Sequence, residues 1–195
     1  MSSKNIKTRD RILIATLKSL ETEPAPAVRM SDIAKAAKIS RQAVYLHFPT
    51  RAELLIAATR YLDEVMDIDK RLEKSRSAKT GIERLDAYID AWINYIPEVY
   101  GVSKALLAMK DIDEAADLAW RGRMNAVREG CEAVIKALKK DKLLAPDYTT
   151  DQATDLLWTM LSVRNWEQLV CECGWTQKQY INALKSNANR IFVRP

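Results

Sequence analysis

The chain has 195 residues, 48% hydrophobic and 29% charged, with a net charge of +5, which suits one sizeable domain or a small one joined to a medium one around a buried core. No run of eighteen apolar residues occurs, and the N-terminus lacks the apolar stretch and small-residue cleavage site of a secretory leader, so neither a membrane-crossing helix nor a leader is expected. Cys131, Cys171 and Cys173 read as reduced thiols of a cytoplasmic protein, the last two standing too close to pair on a helix.

The charge is unevenly placed. Residues 1–50 hold nine Lys/Arg against four acids, while the other 145 residues hold 22 of each sign. All of the net positive charge sits in the first quarter. That points to a polyanionic partner for this segment alone, or to a solvated basic face.

Glycines number only five and β-branched runs are scarce, so an all-α fold of about nine helices is expected. The first spans about Lys7 to Leu20, with Ile12, Leu13, Thr16, Leu17 and Leu20 at helical spacing. The prolines of "ETEPAPAVR" break it. Ser31 is the expected N-cap of a short helix, Asp32 to Ala37. A turn at Lys38-Ile39 follows, and Ser40 caps the next helix, Arg41 to His47. Pro49 stops that helix, and Thr50 caps a long one from Arg51 to about Ser75. Further helices are expected over 80–96, ending near Pro97, then 101–110 and 113–143. Another, capped by Thr150 or Asp151, runs through Cys173 to Gly174 as its C′ residue. The last is capped by Thr176 and ends near Phe192. No internal repeat or low-complexity segment occurs.

Two short helices joined by a tight turn have the spacing of a helix-turn-helix. Ala34 and Ala37 allow a close crossing, and Ile33, Ile39 and Val44 interlock with Leu13 and Leu17 of the first helix. One face of the second helix stays free, carrying Arg41, Gln42, Tyr45, Leu46 and the chain's only histidine, His47. A packed helical corner without DNA would show the same pattern.

"TRDRILIATLKSLE" resembles the first helix of the tetracycline-repressor (TetR) family of transcriptional regulators. "MSDIAKAAKISRQAVYLHFPTRAELL" resembles its signature: an I-A-x-x-A helix, a turn, S-R-x-x-x-Y-x-H-F, and a basic residue opening the fourth helix. The resemblance covers roughly residues 7–60 and is matched beyond them only in style. It implies a DNA-binding domain over 1–50, a connector helix from 51, and a helical ligand-binding and dimerisation domain over 51–195. By the same resemblance Arg41 and Gln42, behind the cap Ser40, reach base edges, where arginine suits guanine and glutamine suits adenine. Ala43 and Leu46 meet a thymine methyl. Tyr45, His47 and Arg51 contact phosphates, with Arg29 and Lys38 adding attraction. Lys38 stands where the family usually has glycine, a left-handed position that costs a lysine roughly 0.5–1 kcal/mol. The glycine usual after the first helix is also missing.

In the body, Tyr88, Trp92, Tyr95, Tyr100, Met109, Trp120, Met124 and Trp158 suit an apolar small-molecule cavity, which the resemblance implies, or plain core packing. Leu157, Leu161, Trp166 and Leu169 on one late helix, and Ile181, Leu184, Ala188 and Ile191 on the last, suit a homodimer surface. A final helix sealing its own core would share that periodicity. Cys171-Glu172-Cys173, with a single histidine elsewhere, is poorly supplied for zinc, so neither metal nor cofactor is expected. No phosphate loop or nucleophile–histidine pair marks an enzyme. The expected function is a sequence-specific repressor, released from a palindromic operator on double-stranded DNA by a small effector. The alternative is an α-helical interaction or scaffold protein with a basic N-terminal module.

Overall fold

The computed structural model describes residues 7–22 and 28–194. The proline break expected within 23–27 lies outside the described residues. Ten α-helices and one π-helical segment follow in order: α1 (Thr8–Glu21), α2 (Met30–Ala36), α3 (Arg41–His47), α4 (Arg51–Val65), α5 (Ile68–Arg76), α6 (Gly81–Met109), α7 (Glu114–Lys140), α8 (Thr150–Met160), α9 (Val163–Trp166), the π segment (Glu167–Glu172) and α10 (Gln177–Phe192). The chain forms two compact units. One comprises residues 1–66 and 101–123, the other 67–100 and 124–195. Helices α6 and α7 each contribute one end to each unit.

The first unit closes around Ile12, Leu13 and Leu20 of α1, Ile33 of α2, Val44 of α3 and Leu54, Leu55 and Ala58 of α4, all fully or nearly fully buried. Helix α2 begins earlier than Ser31 as N-cap would allow. Its N-cap is Arg29, without a side-chain cap, and Asp32 and Ile33 donate to the Arg29 carbonyl at 3.0 and 3.1 Å. Burial decides the start: Val28 and Met30 are both inside, so the chain enters the helix through them. The turn after α2 is left-handed at Lys38, with φ 54°. The Lys38 N–H bonds Lys35 O and the Ile39 N–H bonds Ala34 O, the paired bonds of a Schellman end, here closed without glycine. Arg11 of α1 donates to the carbonyls of Ala37 and Lys38, bracing that strained turn from outside.

Helix α4 ends at Val65 rather than near Ser75. Asp67 turns left-handed at φ 53° and starts α5 afresh. Aspartate is among the few residues that take this conformation readily.

In the second unit the expected stop at Pro97 is corrected. Helix α6 runs through it for 29 residues. A proline in a helix deprives the carbonyl four residues back of its donor. That carbonyl belongs to Ile93, and it accepts from Gln177 Nε2 at 2.7 Å instead. Conversely, the helix expected from Thr150 or Asp151 through Cys173 is broken. Thr149 is its cap, forming a capping box with Gln152. The chain then interrupts at Leu161, where the Trp92 indole N–H bonds the Leu161 carbonyl at 2.8 Å and Ser162 caps α9. The π segment ends before Gly174, which has φ 73° as expected of a C′ glycine. Thr176 caps α10 with Gln179, as the sequence indicates. The two splits and one merger raise the expected nine helices to ten. No strand occurs among the described residues beyond an isolated bridge between Leu144 and Val193. No helix there is long and apolar enough to cross a membrane.

Candidate nucleic-acid interface

Helix α3 is short, and its position depends on what surrounds it. Ser40 accepts the Ala43 N–H at 3.1 Å, fixing its first turn. Val44 is wholly buried and Phe48 nearly so, which anchors the inner face. Arg9 of α1 lies over the Phe48 ring at 5.2 Å. The outer face is left open. Arg41, Gln42, Tyr45 and His47 are exposed, Ala43 is half-buried, and Leu46 is 81% exposed. A leucine so open on a well-packed helix is not covered by any of the described residues.

Two of these groups are pre-arranged. Arg41 donates to the Tyr45 hydroxyl at 3.2 Å and its guanidinium sits 5.4 Å from that ring's centre. The contact favours the charged guanidinium. Arg29 and Lys38 are exposed at the two ends of α2.

Arg51 is placed differently from the other sequence-predicted contacts. Its Nε donates to Val28 O at 2.6 Å, and its two terminal nitrogens hold both oxygens of Asp113, the first at 3.0 Å. Asp113 also accepts the N–H groups of Ala115 and Ala116 at 3.1 and 3.3 Å, acting as the N-cap of α7. The Arg51 hydrogen bond, aided by those N–H groups and opposed by burial, holds the Asp113 carboxyl below the usual carboxylate range. Twelve residues along α4, Asp63 binds buried Arg123 of α7 at 2.8 Å. Two long-armed ion pairs, about 15–18 Å apart along each helix, therefore tie α4 to the start of α7. Sequence alone gives Arg123 no role and reads Asp113 as a partner of a helix dipole. Asp113 was visible only as an acid at a helix start.

A capped helix with an open basic and polar face, set by a tight turn on a buried partner, defines a helix-turn-helix DNA-binding protein. Residues 12–58 match the family model described as bacterial regulatory proteins, tetR family, and over most of its length the chain is similar to transcriptional regulators. It is 25% identical over 162 residues to the HTH-type transcriptional regulator CymR of Pseudomonas putida, covering 80% of this chain and 75% of that protein. Among solved structures it shares its fold with a putative TetR-family regulator from Rhodococcus sp., at TM-score 0.74 and 19% identity, over 94% of this chain and 97% of that one. It likewise resembles a putative regulator from Saccharomonospora viridis in complex with choline, at TM-score 0.74 and 16% identity, over 96% and 98% of the two chains.

The residues expected at a ligand fall in both units. Met109 and Trp120 belong to the first, buried and half-buried respectively. In the second unit Tyr88, Trp92 and Tyr95 are buried and Tyr100, Met124 and Trp158 half-buried. Several of their polar groups are already partnered. Tyr88 donates to Val127 O at 2.9 Å, Trp92 to Leu161 O, and Tyr100 to Glu167, with its ring tilted against that of Trp166 at 5.1 Å between centres. Of the residues expected at a dimer surface, Leu157, Leu161, Trp166, Leu184 and Ala188 face their own unit's core, whereas Leu169, Ile181 and Ile191 are part-exposed. Leu156 and Trp175, each 38% exposed, add apolar surface nearby in sequence. Cys171 and Cys173 are exposed, and no metal-holding cluster occurs among the described residues.

Proposed function

We propose that the protein is a homodimeric repressor of a palindromic operator, released by a small-molecule effector bound in its helical body. Residues 1–50 serve as the DNA-binding domain, with α4 as connector, and residues 51–195 carry effector binding and dimerisation. The carrying observation is the outer face of α3: Arg41, Gln42, Tyr45, Leu46 and His47 open to solvent on a helix locked by Ser40 and Val44. In a major groove Arg41 and Gln42 would reach base edges, Leu46 and Ala43 a thymine methyl, and Tyr45 and His47 the phosphates. A two-fold dimer sets two such helices one turn of duplex, about 34–36 Å, apart. Arg51 would reach a phosphate only by giving up Asp113 for it.

The two ion pairs between α4 and α7 support the release step. A displacement of the first turns of α7 carries α4 with it, and α4 sits in the same compact unit as the reading helix. Effector binding is then coupled to operator binding by the differential affinity of the effector for the two arrangements. The choline complex of the Saccharomonospora protein supports a small molecule as the effector class for this fold. A regulator of this kind works in the cytoplasm.

Operator selection from random duplexes, followed by anisotropy titrations at several salt concentrations, tests the reading. Affinity for the selected palindrome falls steeply with salt. Arg41→Ala relaxes selection at one base pair, by about 1–3 kcal/mol, while Tyr45→Phe weakens all sequences alike. Unchanged selectivity in Arg41→Ala would remove Arg41 as base reader. No duplex preference at any salt would remove the regulator reading of α3.

A further inference from the structure

The second unit carries a cationic cavity away from every residue assigned above. Lys79 before α6, Gly81 and Arg84 in its first turns, and Lys136, Lys140 and Asp141 at the end of α7 border an open space of about 270 Å³. This lies just below the range of drug-sized pockets. Four cations face one carboxylate across it. Asp141 already uses an oxygen to accept the Gly81 N–H at 2.6 Å. Lys136 pairs with Glu132 on its own helix at 2.7 Å, an exposed bond of small worth. Lys79, Lys140 and Arg84 have no carboxylate partner among the described residues.

Arg84 is the decisive member. Its Nε is sealed from solvent without a hydrogen-bond partner, so any contact with an anion in the cavity that Arg84 lines falls to its two terminal nitrogens. A buried guanidinium N–H left unpaired is costly and uncommon. The start of α6 presses so closely on α7 that a Cβ at Gly81 would lie 2.6 Å from Leu138 N, which holds the two sets of cations around one space. The helix N-terminus itself contributes little. Its first N–H groups are taken by Glu83 and Asp141, so attraction for an anion comes from the side chains. The forked guanidinium edge matches a phosphate, and lysines supply point charge around it.

We propose that this corner binds a small phosphate-type oxyanion, with Arg84 as the forked anchor and Lys79, Lys136 and Lys140 closing around it. The site stands apart from the operator-reading face and does not depend on the regulatory reading. Calorimetric titration of the full chain with pyrophosphate, at ionic strength held constant with sodium chloride, tests it. One saturable site per chain is expected. Arg84→Gln abolishes it, and Lys140→Gln, on the exposed rim, weakens it about threefold to tenfold. Asp141→Asn keeps an acceptor for the Gly81 N–H but removes the opposing charge, so it tightens binding. If Arg84→Gln does not fold, Lys140→Gln and Asp141→Asn decide alone. Absence of saturable binding, or an affinity that neither rim substitution moves, overturns the proposal.

Discussion

Asp113→Asn separates charge from geometry at the junction of α4 and α7. Asparagine keeps an oxygen for the Ala115 and Ala116 N–H groups and is as good an N-cap as aspartate, so α7 starts as before. What is lost is the forked ion pair with Arg51. Breaking such a pair costs about 3–5 kcal/mol when fully buried and 0.2–1 kcal/mol when exposed. The Arg51 and Asp113 side chains retain 28% and 15% of their exposure, so solvent screens part of the interaction and about 2 kcal/mol is expected. In a chain of this length that lowers the melting temperature by about 4–8 °C. The loss depends on pH in a defined sense. Asp113 is held below its ordinary value of 3.8, so the pair's contribution is complete above that value and is lost as pH falls through the depressed one. Thermal unfolding of both proteins should show the full gap at pH 7 and a narrowing gap from pH 4 downward. A gap under 0.5 kcal/mol at pH 7, or one unchanged in acid, would refute the assignment of stability to this pair.

Lys38→Gly relieves the left-handed residue of the turn before α3 and should stabilise by about 0.5–1 kcal/mol in urea unfolding; if Lys38 also meets phosphate, the salt slope of operator binding falls by about one contact. Gln177→Ala leaves both Ile93 O and the Trp166 indole N–H, which Gln177 accepts at 2.8 Å, without their partner and should cost about 2 kcal/mol. Pro97→Ala returns a backbone donor to Ile93, so a double-mutant cycle should show it recovering more stability in the Gln177→Ala background than alone; strict additivity would break the link between the two residues. Gly81→Ala forces a methyl against the backbone of α7 and should destabilise by about 1–3 kcal/mol by overpacking, read as a lower melting temperature.

The reading head was legible because its signals are local. Ser40 capping α3, Thr50 capping α4 and Val44 turned inward all depend on residues within a few positions of each other, and a single sequence displays those directly, whereas the left-handed Lys38 was implied by the resemblance, through the glycine usual at that position. Arg41, Tyr45 and His47 lie exposed for the same reason: helical spacing separates them from the buried Val44. The start of α2 was not legible. Ser31 is a good cap in isolation, but burial of Val28 and Met30 outweighs about 1 kcal/mol of capping.

The chain by itself determined the helical class, the basic first quarter and the helix-turn-helix, because propensity, charge count and capping are properties of short segments. Tertiary structure alone decided where the long helices run. Pro97 was a stop until Gln177, 80 residues later, supplied the donor that the Ile93 carbonyl lacks. The helix after Thr149 was continuous until the Trp92 indole took the Leu161 carbonyl. Arg51 was a free cation until Asp113, 62 residues on, occupied its fork. In each case a backbone or charged group is satisfied by a partner remote in sequence, and no local pattern carries that information.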